Sequence, residues 1–289
     1  MSWLVVDGNH LAGRSFRVLQ DLKTSDGKPS GMILGFYKSL LWANSIAKCD
    51  WPRIVICWDG GRAEFRKRLY PEYKQHRAPL NESESDRYYS QLREIQLSLS
   101  LLGYAQIRIV GVEADDVISI IAHQKSAQGQ IVHVFSGDRD MHQLASSMVM
   151  IIDPKLGLLR KQDVQRIWEV TDVSHILLLR AMIGDPNDGI DGVPRVGIVR
   201  AKEVMNDLVR GTNLSKWTVH VRRHANIVDR NIQLMRLPKD WEESGYDMMC
   251  ADAYNTQLSI QRTQQIDEFI FWLRRWEMND LLNSILRFR

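Results

Sequence analysis

Hydrophobic positions in the first half of the chain follow two rhythms. Five short, mainly apolar runs, at 3–6, 54–58, 107–110, 131–135 and 148–152, have the length of strands buried on both faces, with Arg108 and His133 as their polar interruptions. Between them apolar residues recur three and four apart. Ile33, Leu34, Phe36, Tyr37, Leu40, Leu41 and Ala43 predict a helix over 32–46, and the same spacing predicts helices over 88–102 and 114–125. Strands alternating with helices predict an α/β fold: a mainly parallel, twisted sheet flanked by helices. From about Lys161 the pattern is helical, interrupted by a Gly/Asp/Pro-rich loop at 184–197. The tail, 264–288, places Ile266, Phe269, Ile270, Leu273, Trp276, Leu281 and Leu282 at helical spacing and predicts one amphipathic helix. The polar run at 81–86 reads as a loop. The division that follows is an α/β core over 1–183 and a helical region over 184–289.

Composition narrows the classes. Hydrophobic residues are 44% and charged residues 25%, which supports a sizeable core and excludes a disordered chain or a disulfide scaffold. No run reaches the ~18 apolar residues that a membrane helix needs, and no basic leader precedes 3–6, so no membrane partner is expected. Cys49, Cys57 and Cys250 form no CxxC pair, which argues against a zinc ribbon and for a reducing, cytoplasmic setting. The net charge is only +3. Its arrangement says more. Between Arg62 and Arg77 six basic residues face two acids, and between Arg200 and Arg230 seven face three. Acids gather elsewhere, so one zone can hold an anion and another metal ions.

The acids sit where strands end. Asp7 follows the first run and Asp59 the second. Glu113, Asp115 and Asp116 follow the third, and Asp138 and Asp140 the fourth. The carboxyl ends of parallel strands share one edge, and ligand sites form there. Asp185 and Asp188, in the later loop, can close the crevice from the other side. One Asp after a strand is ordinarily a turn residue or a helix cap. Four strand ends carrying acids are harder to explain that way. Such crowding is self-repulsive, and divalent cations relieve it. Two magnesium ions ~4 Å apart can activate a water and steady the leaving oxygen in phosphodiester cleavage. Asp116 is open to a supporting or capping role, and Asp191 reads as solvent-facing.

Arg66, Lys67, Arg68, Tyr73 and Lys74 mix cations with aromatic rings, as in segments that neutralise phosphates and stack on unpaired bases. His220 and His224, four apart, lack the Glu of an HExxH site and read as part of a basic surface. No GxSxG or GxGxxG occurs, so a serine esterase or a Rossmann dehydrogenase has no support.

Taken in order, Val6-Asp7-Gly8-Asn9, Trp58-Asp59-Gly60, Tyr70-Pro71-Glu72-Tyr73-Lys74-Gln75-His76-Arg77, Glu113-Ala114-Asp115-Asp116, Ser136-Gly137-Asp138-Arg139-Asp140 and Gly184-Asp185-Pro186-Asn187-Asp188-Gly189-Ile190 resemble the 5′-nuclease family. That family holds the flap endonucleases and the 5′–3′ exonuclease domain of bacterial DNA polymerase I. The match runs over about 1–205, and the stand-alone length resembles a phage-type member. The resemblance implies a PIN-like nuclease fold with a helical arch at about 62–90 and a helix–hairpin–helix at about 184–209. It implies one magnesium or manganese ion held by Asp7, Asp59, Glu113, Asp115 and Asp138. A second would be held by Asp140, Asp185 and Asp188, with the role of Asp116 left open. Lys74 and Arg77 would act from the arch on the scissile phosphate, and Tyr73 would stack on a base. Gly192, Val193, Arg195 and Gly197 would form the hairpin, with Arg200 and Lys202 on the duplex backbone. Carbonyls of Val193 and Val196 would hold potassium.

The function that follows is a metal-dependent, structure-selective 5′-nuclease, exonuclease or flap endonuclease, in replication or repair. Its partners are 5′ flaps, nicks or ends of DNA, and RNA–DNA primers. A monomer in the cytoplasm of a bacterium or a phage-infected host is expected. The alternatives are a non-catalytic binder of DNA junctions with the same fold and a PIN-type ribonuclease.

Overall fold

The computed structural model describes residues 2–61, 63–75, 80–212, 215–260 and 262–286. Arg62, Arg77 and Phe288 lie outside the described residues. Strands β1 (Ser2–Asp7), β2 (Ile54–Trp58), β3 (Ala105–Arg108), β4 (Ile131–Phe135), β5 (Val149–Asp153) and β6 (Gly157–Leu159) form one sheet in the order β3-β2-β1-β4-β5-β6. The first five are parallel, and β6 runs against β5. The chain lays β2 and β3 to one side of β1, then returns to lay β4 and β5 on the other. That reversal opens a crevice at the carboxyl ends of β1 and β4.

Helices α1 (Gly8–Val18), α2 (Gly31–Ala47), α3 (Glu64–Leu69) and α4 (Glu82–Leu101) precede β3, and α5 (Ala114–Ala127) leads to β4. After β6 come α6 (Lys161–Trp168) and α7 (His175–Ile183), then a small hairpin of β7 (Gly184–Asp185) and β8 (Ile190–Asp191). The chain ends in α8 (Ile198–Arg210), α9 (Lys216–Arg223), α10 (Ala225–Met235), α11 (Met248–Ser259), α12 (Ile266–Arg275) and α13 (Asn279–Leu286).

Strand side chains alternate between two cores, as the period of two requires. Val5, Val55, Cys57, Val132 and Val134 enter one core, which α5, α7 and α8–α11 cover. Leu4, Val6, Ile54, Ile56 and Trp58 enter the other, which α1, α2, α4, α12 and α13 cover. Residues 184–289 are therefore not one body set apart from 1–183: they complete both faces of the sheet. Gln257 of α11 also closes the outer edge of β3, accepting from the Arg108 N–H and donating to its carbonyl, each at 2.8 Å.

Three sequence expectations shift. The third apolar run ends as a strand at Arg108, and Val110 is 88% exposed. Its neighbours turn instead to the loop after β2: Gly60 donates to the Val112 carbonyl and Gly111 donates to the Gly60 carbonyl, each at 2.9 Å. The approach is close enough that a Cβ on Gly60 would lie 1.6 Å from the Ile109 oxygen. The polar run at 81–86 is the cap and first turn of α4, because Asn81 accepts the Glu84 N–H at 2.9 Å and Glu82 and Glu84 suit a helix start. The tail is two helices. Glu277 adopts a left-handed φ of 55°, and its carboxylate accepts the Ser25 N–H at 2.9 Å, so the chain turns there. Trp272 and Trp276 pack inward as expected, both indoles donating to Glu94 Oε2 at 2.8 and 3.2 Å.

The β7–β8 hairpin is tied to the body by Asn231 of α10, which is wholly buried. Its Nδ2 donates to the carbonyls of Ala181 and Asp191, each at 2.8 Å. Asn231→Ala leaves both without that donor. A loss of about 2 kcal/mol is expected in urea unfolding, with the slope unchanged. A wild-type midpoint would show that the hairpin is anchored elsewhere.

Candidate active site

Asp7 ends β1 and Asp138 follows β4, so both stand at the reversal of strand order. Each carboxylate is first a local fastener. Asp7 Oδ1 accepts the His10 N–H at 2.9 Å and starts α1, and its Oδ2 accepts the Ser136 hydroxyl at 2.8 Å. Asp138 Oδ1 accepts the Asp140 N–H at 2.8 Å and starts a 3₁₀ turn at Arg139–Leu144. Asp59 accepts the Ala114 N–H at 2.9 Å where α5 begins, and its own N–H donates to Asn9 Oδ1 at 2.9 Å. Capping thus pins these acids at one sheet edge.

Asp7, Asp59, Asp115, Asp138 and Asp188 line one cavity of about 470 Å³, with Lys74 and Arg17 on its wall. Burial, with the charges of Asp59 and Asp138 adding to it, pushes the Asp7 carboxyl up to about 7. Burial, then Asp7 and Asp138, push Asp115 well above the usual carboxylate range. Oxygen donors dominate this wall, which His10 also lines, and held this close they fit a hard divalent cation. Among the described residues no three His, Cys, Asp or Glu side chains are already drawn into a cage. The acids instead line a wall, which suits a divalent ion that keeps several of its waters.

Three cations border this group, and each reaches two acids. Lys74 Nζ stands 3.0 Å from Glu113 Oε1 and 3.8 Å from Asp188 Oδ2. Arg180 of α7 bridges Asp140 Oδ1, at 2.7 Å, and Asp185 Oδ2. Arg66 of α3 donates to Glu113 Oε2 at 2.9 Å and to both Asp116 oxygens at 2.6 and 2.8 Å. Burial opposes charge on Glu113, but Lys74 and Arg66 outweigh it and hold its carboxyl below the usual range. Burial pushes Asp140 up to about 7 despite Arg180.

These contacts correct several sequence expectations. Arg66 is 3% exposed, its Nε donating to the Leu234 carbonyl at 2.9 Å, so it faces the interior rather than a nucleic acid. Asp116 is wholly buried between Arg66 and the Tyr246 hydroxyl and does not open on the cavity. Tyr73 is 3% exposed and donates to Glu113 Oε2 at 2.9 Å, so its ring offers no stacking face. Asp140 and Asp185 stand behind Arg180 rather than on the cavity wall with Asp188. Lys67 is half-buried and paired with Glu64 at 2.6 Å, and Arg68 is exposed. Arg77 lies outside the described residues.

Downstream, Gly184 (φ 82°) and Gly192 meet backbone to backbone: a Cβ on Gly184 would lie 2.4 Å from the Gly192 nitrogen. Val193 and Val196 are buried, and the Val196 N–H donates to the Val193 carbonyl at 3.0 Å. Pro194 and a left-handed Arg195 (φ 64°) fill the middle of that turn. Gly197 then caps α8 with open space around its Cα. Arg195 is exposed. Arg200 lies 4.0 Å over the Trp217 ring. Lys202 pairs with Glu169 at 2.8 Å, so its charge is partly taken up within the protein.

Residues 2–173 match the family of the 5′–3′ exonuclease, N-terminal resolvase-like domain. The chain belongs to that family. It is 33% identical over 215 residues to the thermostable DNA polymerase I of Thermus thermophilus, covering 74% of this chain and 25% of the polymerase. The chain thus spans about a quarter of the length of that relative. The 5′–3′ exonuclease of Buchnera aphidicola is 30% identical over 200 residues, 68% of this chain and 67% of that protein. In fold, this 5′–3′ exonuclease family member is similar to the T5 D15 protein crystallised with metal ions. The TM-score is 0.69 at 19% identity, over 99% of this chain and 100% of the other. As expected, the sheet of this chain is mostly parallel and flanked by helices.

Sequence reasoning assigned no role to Arg180 and Tyr246, nor to Ser136 beyond its place in the Ser136–Asp140 motif. Arg180 carried a signal, a cation five residues before Asp185 on a predicted helix. Tyr246 carried none, since it lies 130 residues from Asp116.

Arg66→Ala leaves Asp116 and Glu113 short of their shared cation. The expected loss is about 3–5 kcal/mol of unfolding free energy, read by chemical denaturation. A variant of unchanged stability would return Arg66 to the surface role.

Proposed function

We propose that this chain is a metal-dependent, structure-selective 5′ nuclease that hydrolyses phosphodiesters at 5′ flaps, nicks or ends of DNA. The observation that carries this reading is the convergence of Asp7, Asp59, Asp115, Asp138 and Asp188 on one cavity beside Lys74. Asp7, Asp59, Asp115 and Asp138 would hold one magnesium or manganese ion and Asp188 would contribute to a second, whereas Glu113 is engaged by Arg66 and Lys74, and Asp140 and Asp185 by Arg180. Bound ions would supply charge neutralisation and an activated water for hydrolysis, leaving 5′-phosphate and 3′-hydroxyl products.

The chain's own part is positioning. Lys74 is buried and left-handed (φ 57°), and its N–H donates to the Asp188 carbonyl at 2.8 Å. Its ammonium is thereby fixed at the cavity wall, where it neutralises charge developing on the scissile phosphate. Capping holds Asp7, Asp59 and Asp138 at fixed strand ends, so the donor set is preorganised. The open N-terminus of α8 at Gly197, beside Arg195, binds a duplex phosphate without reading sequence. The Val193 and Val196 carbonyls would hold potassium, which would add positive charge at the hairpin. A T5 D15 flap endonuclease complex contains DNA and metal ions, and we extend that chemistry to this chain. We further propose action as a monomer in the cytoplasm, on RNA–DNA primers as well as DNA.

The test is a 5′-labelled flap duplex incubated with protein in magnesium or in EDTA. Short labelled products in magnesium alone are expected. Binding without cutting, in magnesium and in manganese, would replace the nuclease with a junction binder. Lys74→Ala should slow cleavage by roughly 10²–10³-fold while duplex binding stays close to wild type. Equal losses in both would remove its assigned role.

A further inference from the structure

A cleft of about 490 Å³ adjoins the acid cavity, and His10 and Arg17 line both. Its size falls within the ~300–1,000 Å³ usual for ligand sites. Its lining has a different chemistry from its neighbour's. Val18 at the end of α1, Leu156 in the β5–β6 turn and Ile167 near the end of α6 are 65%, 60% and 42% exposed. Single apolar residues at a surface are ordinary. Three large aliphatic ones around one cleft, rimmed by charge, mark a surface for another molecule. The rim is cationic: Arg14, Arg17, Arg139 and Lys155 share the lining with one acid, Asp153. None of the four cations pairs with an acid among the described residues.

The walls of the cleft are fixed to one another. Arg14, Arg17 and Val18 lie four, seven and eight residues after His10 along α1, so they share one helix face. Gly137 brings the loop after β4 against that face: a Cβ there would lie 2.6 Å from His10 Nε2 and 3.3 Å from Pro154 Cδ. Asp153 is buried and turned to its own backbone. Its Oδ1 accepts the N–H groups of Lys155 and Leu156 at 2.6 and 2.9 Å, and Gly157 closes the turn with a left-handed φ of 81°. The turn therefore presents Lys155 and Leu156 outward. The third wall is α6. Its Trp168 indole donates to His142 Nδ1 at 2.9 Å, which ties the helix end bearing Ile167 to the 3₁₀ turn bearing Arg139.

Aliphatic groups set among unpaired cations complement a ligand that is apolar at its centre and anionic at its edges. Among the described residues no Phe, Tyr or Trp lines the cleft, so it lacks the platform on which unpaired bases stack. We propose that this cleft docks an acidic segment of a partner protein. One large aliphatic side chain of the segment enters among Val18, Leu156 and Ile167, and carboxylates on either side of it meet Arg139 and Lys155. The charges speed and orient the encounter, and the aliphatic anchor slows departure. Because His10 and Arg17 are common to both cavities, the docked segment lies against the wall of the acid cavity without filling it. The inference goes beyond the nuclease reading and does not depend on it.

The test is fluorescence anisotropy in EDTA with the full chain and a labelled synthetic peptide of Asp residues around one Leu and one Ile. Two further peptides replace the aliphatic pair by Ser, or the Asp residues by Asn. Each is expected to bind roughly tenfold more weakly than the first, and binding of the first should fall as salt rises. Leu156→Ser and Lys155→Gln, both at exposed positions of the turn, should weaken the first peptide by roughly three- to tenfold, with the urea midpoint at the wild-type value. Both variants should bind a single-stranded thymidine oligonucleotide as the wild type does. Oligonucleotide binding that falls in step with peptide binding makes the cleft a nucleic-acid surface and overturns the proposal. No binding of the first peptide by the wild-type protein, or equal binding of all three peptides, overturns it as well. Binding is read with no metal present, so these outcomes are separate from whether the acid cavity cuts DNA.

Discussion

Like charges crowded at one buried edge of a sheet are the constraint around which this molecule is arranged. Strand order brings acids from β1, β2 and β4 and from the start of α5 to a common crevice, and neutral water alone does not make that cheap. The protein answers by enclosing rather than diluting. Lys74, Arg66 and Arg180 each bridge two outer acids. Among the described residues Asp7, Asp115 and Asp138 pair with no cation in the centre. The uncompensated charge is thereby confined to the volume where a divalent ion and a phosphodiester would meet.

The flanking cations also explain the path of the chain. Arg66 reaches back from α3 to α5 and onward to the Leu234 carbonyl at the end of α10. Asn231, on the same helix, holds the β7–β8 hairpin, which carries Asp185. One helix therefore sets the relative position of the segment bearing Lys74 and the loop bearing the later acids. The C-terminal helices supply this bracing while completing the two cores, and their apolar faces do both tasks at once.

Much of this was legible in the sequence, for physical reasons that differ by element. The runs of β1, β2, β4 and β5 could be read because a strand buried on both faces leaves few polar positions, His133 in β4 being one. The acids could be read because parallel strands bring their ends together whatever the helices do. The fate of Arg66 and Tyr73 could not. A basic, aromatic segment looks the same whether it faces solvent or an acid some 40 to 50 residues away, and only the fold supplies that acid. Val110 was misplaced because hydrophobicity does not reveal that the backbone of the next two residues, Gly111 and Val112, is claimed by Gly60. The turn at Glu277 was missed because periodicity carries across a break of three residues when both helices face the same core.

The clamp on Asp116 has one more consequence. Its partners are Arg66, inside the family-matched stretch, and Tyr246, more than seventy residues beyond residue 173, where that stretch ends. Tyr246 in turn packs edge-on to Phe65 at 5.3 Å. The unit that packs together is thus larger than the stretch that the family model matches. The matched stretch holds most of the acids, while the later segment keeps two of them tolerable in the interior. What the later segment must keep for this carboxylate is a donor in the place of the Tyr246 hydroxyl.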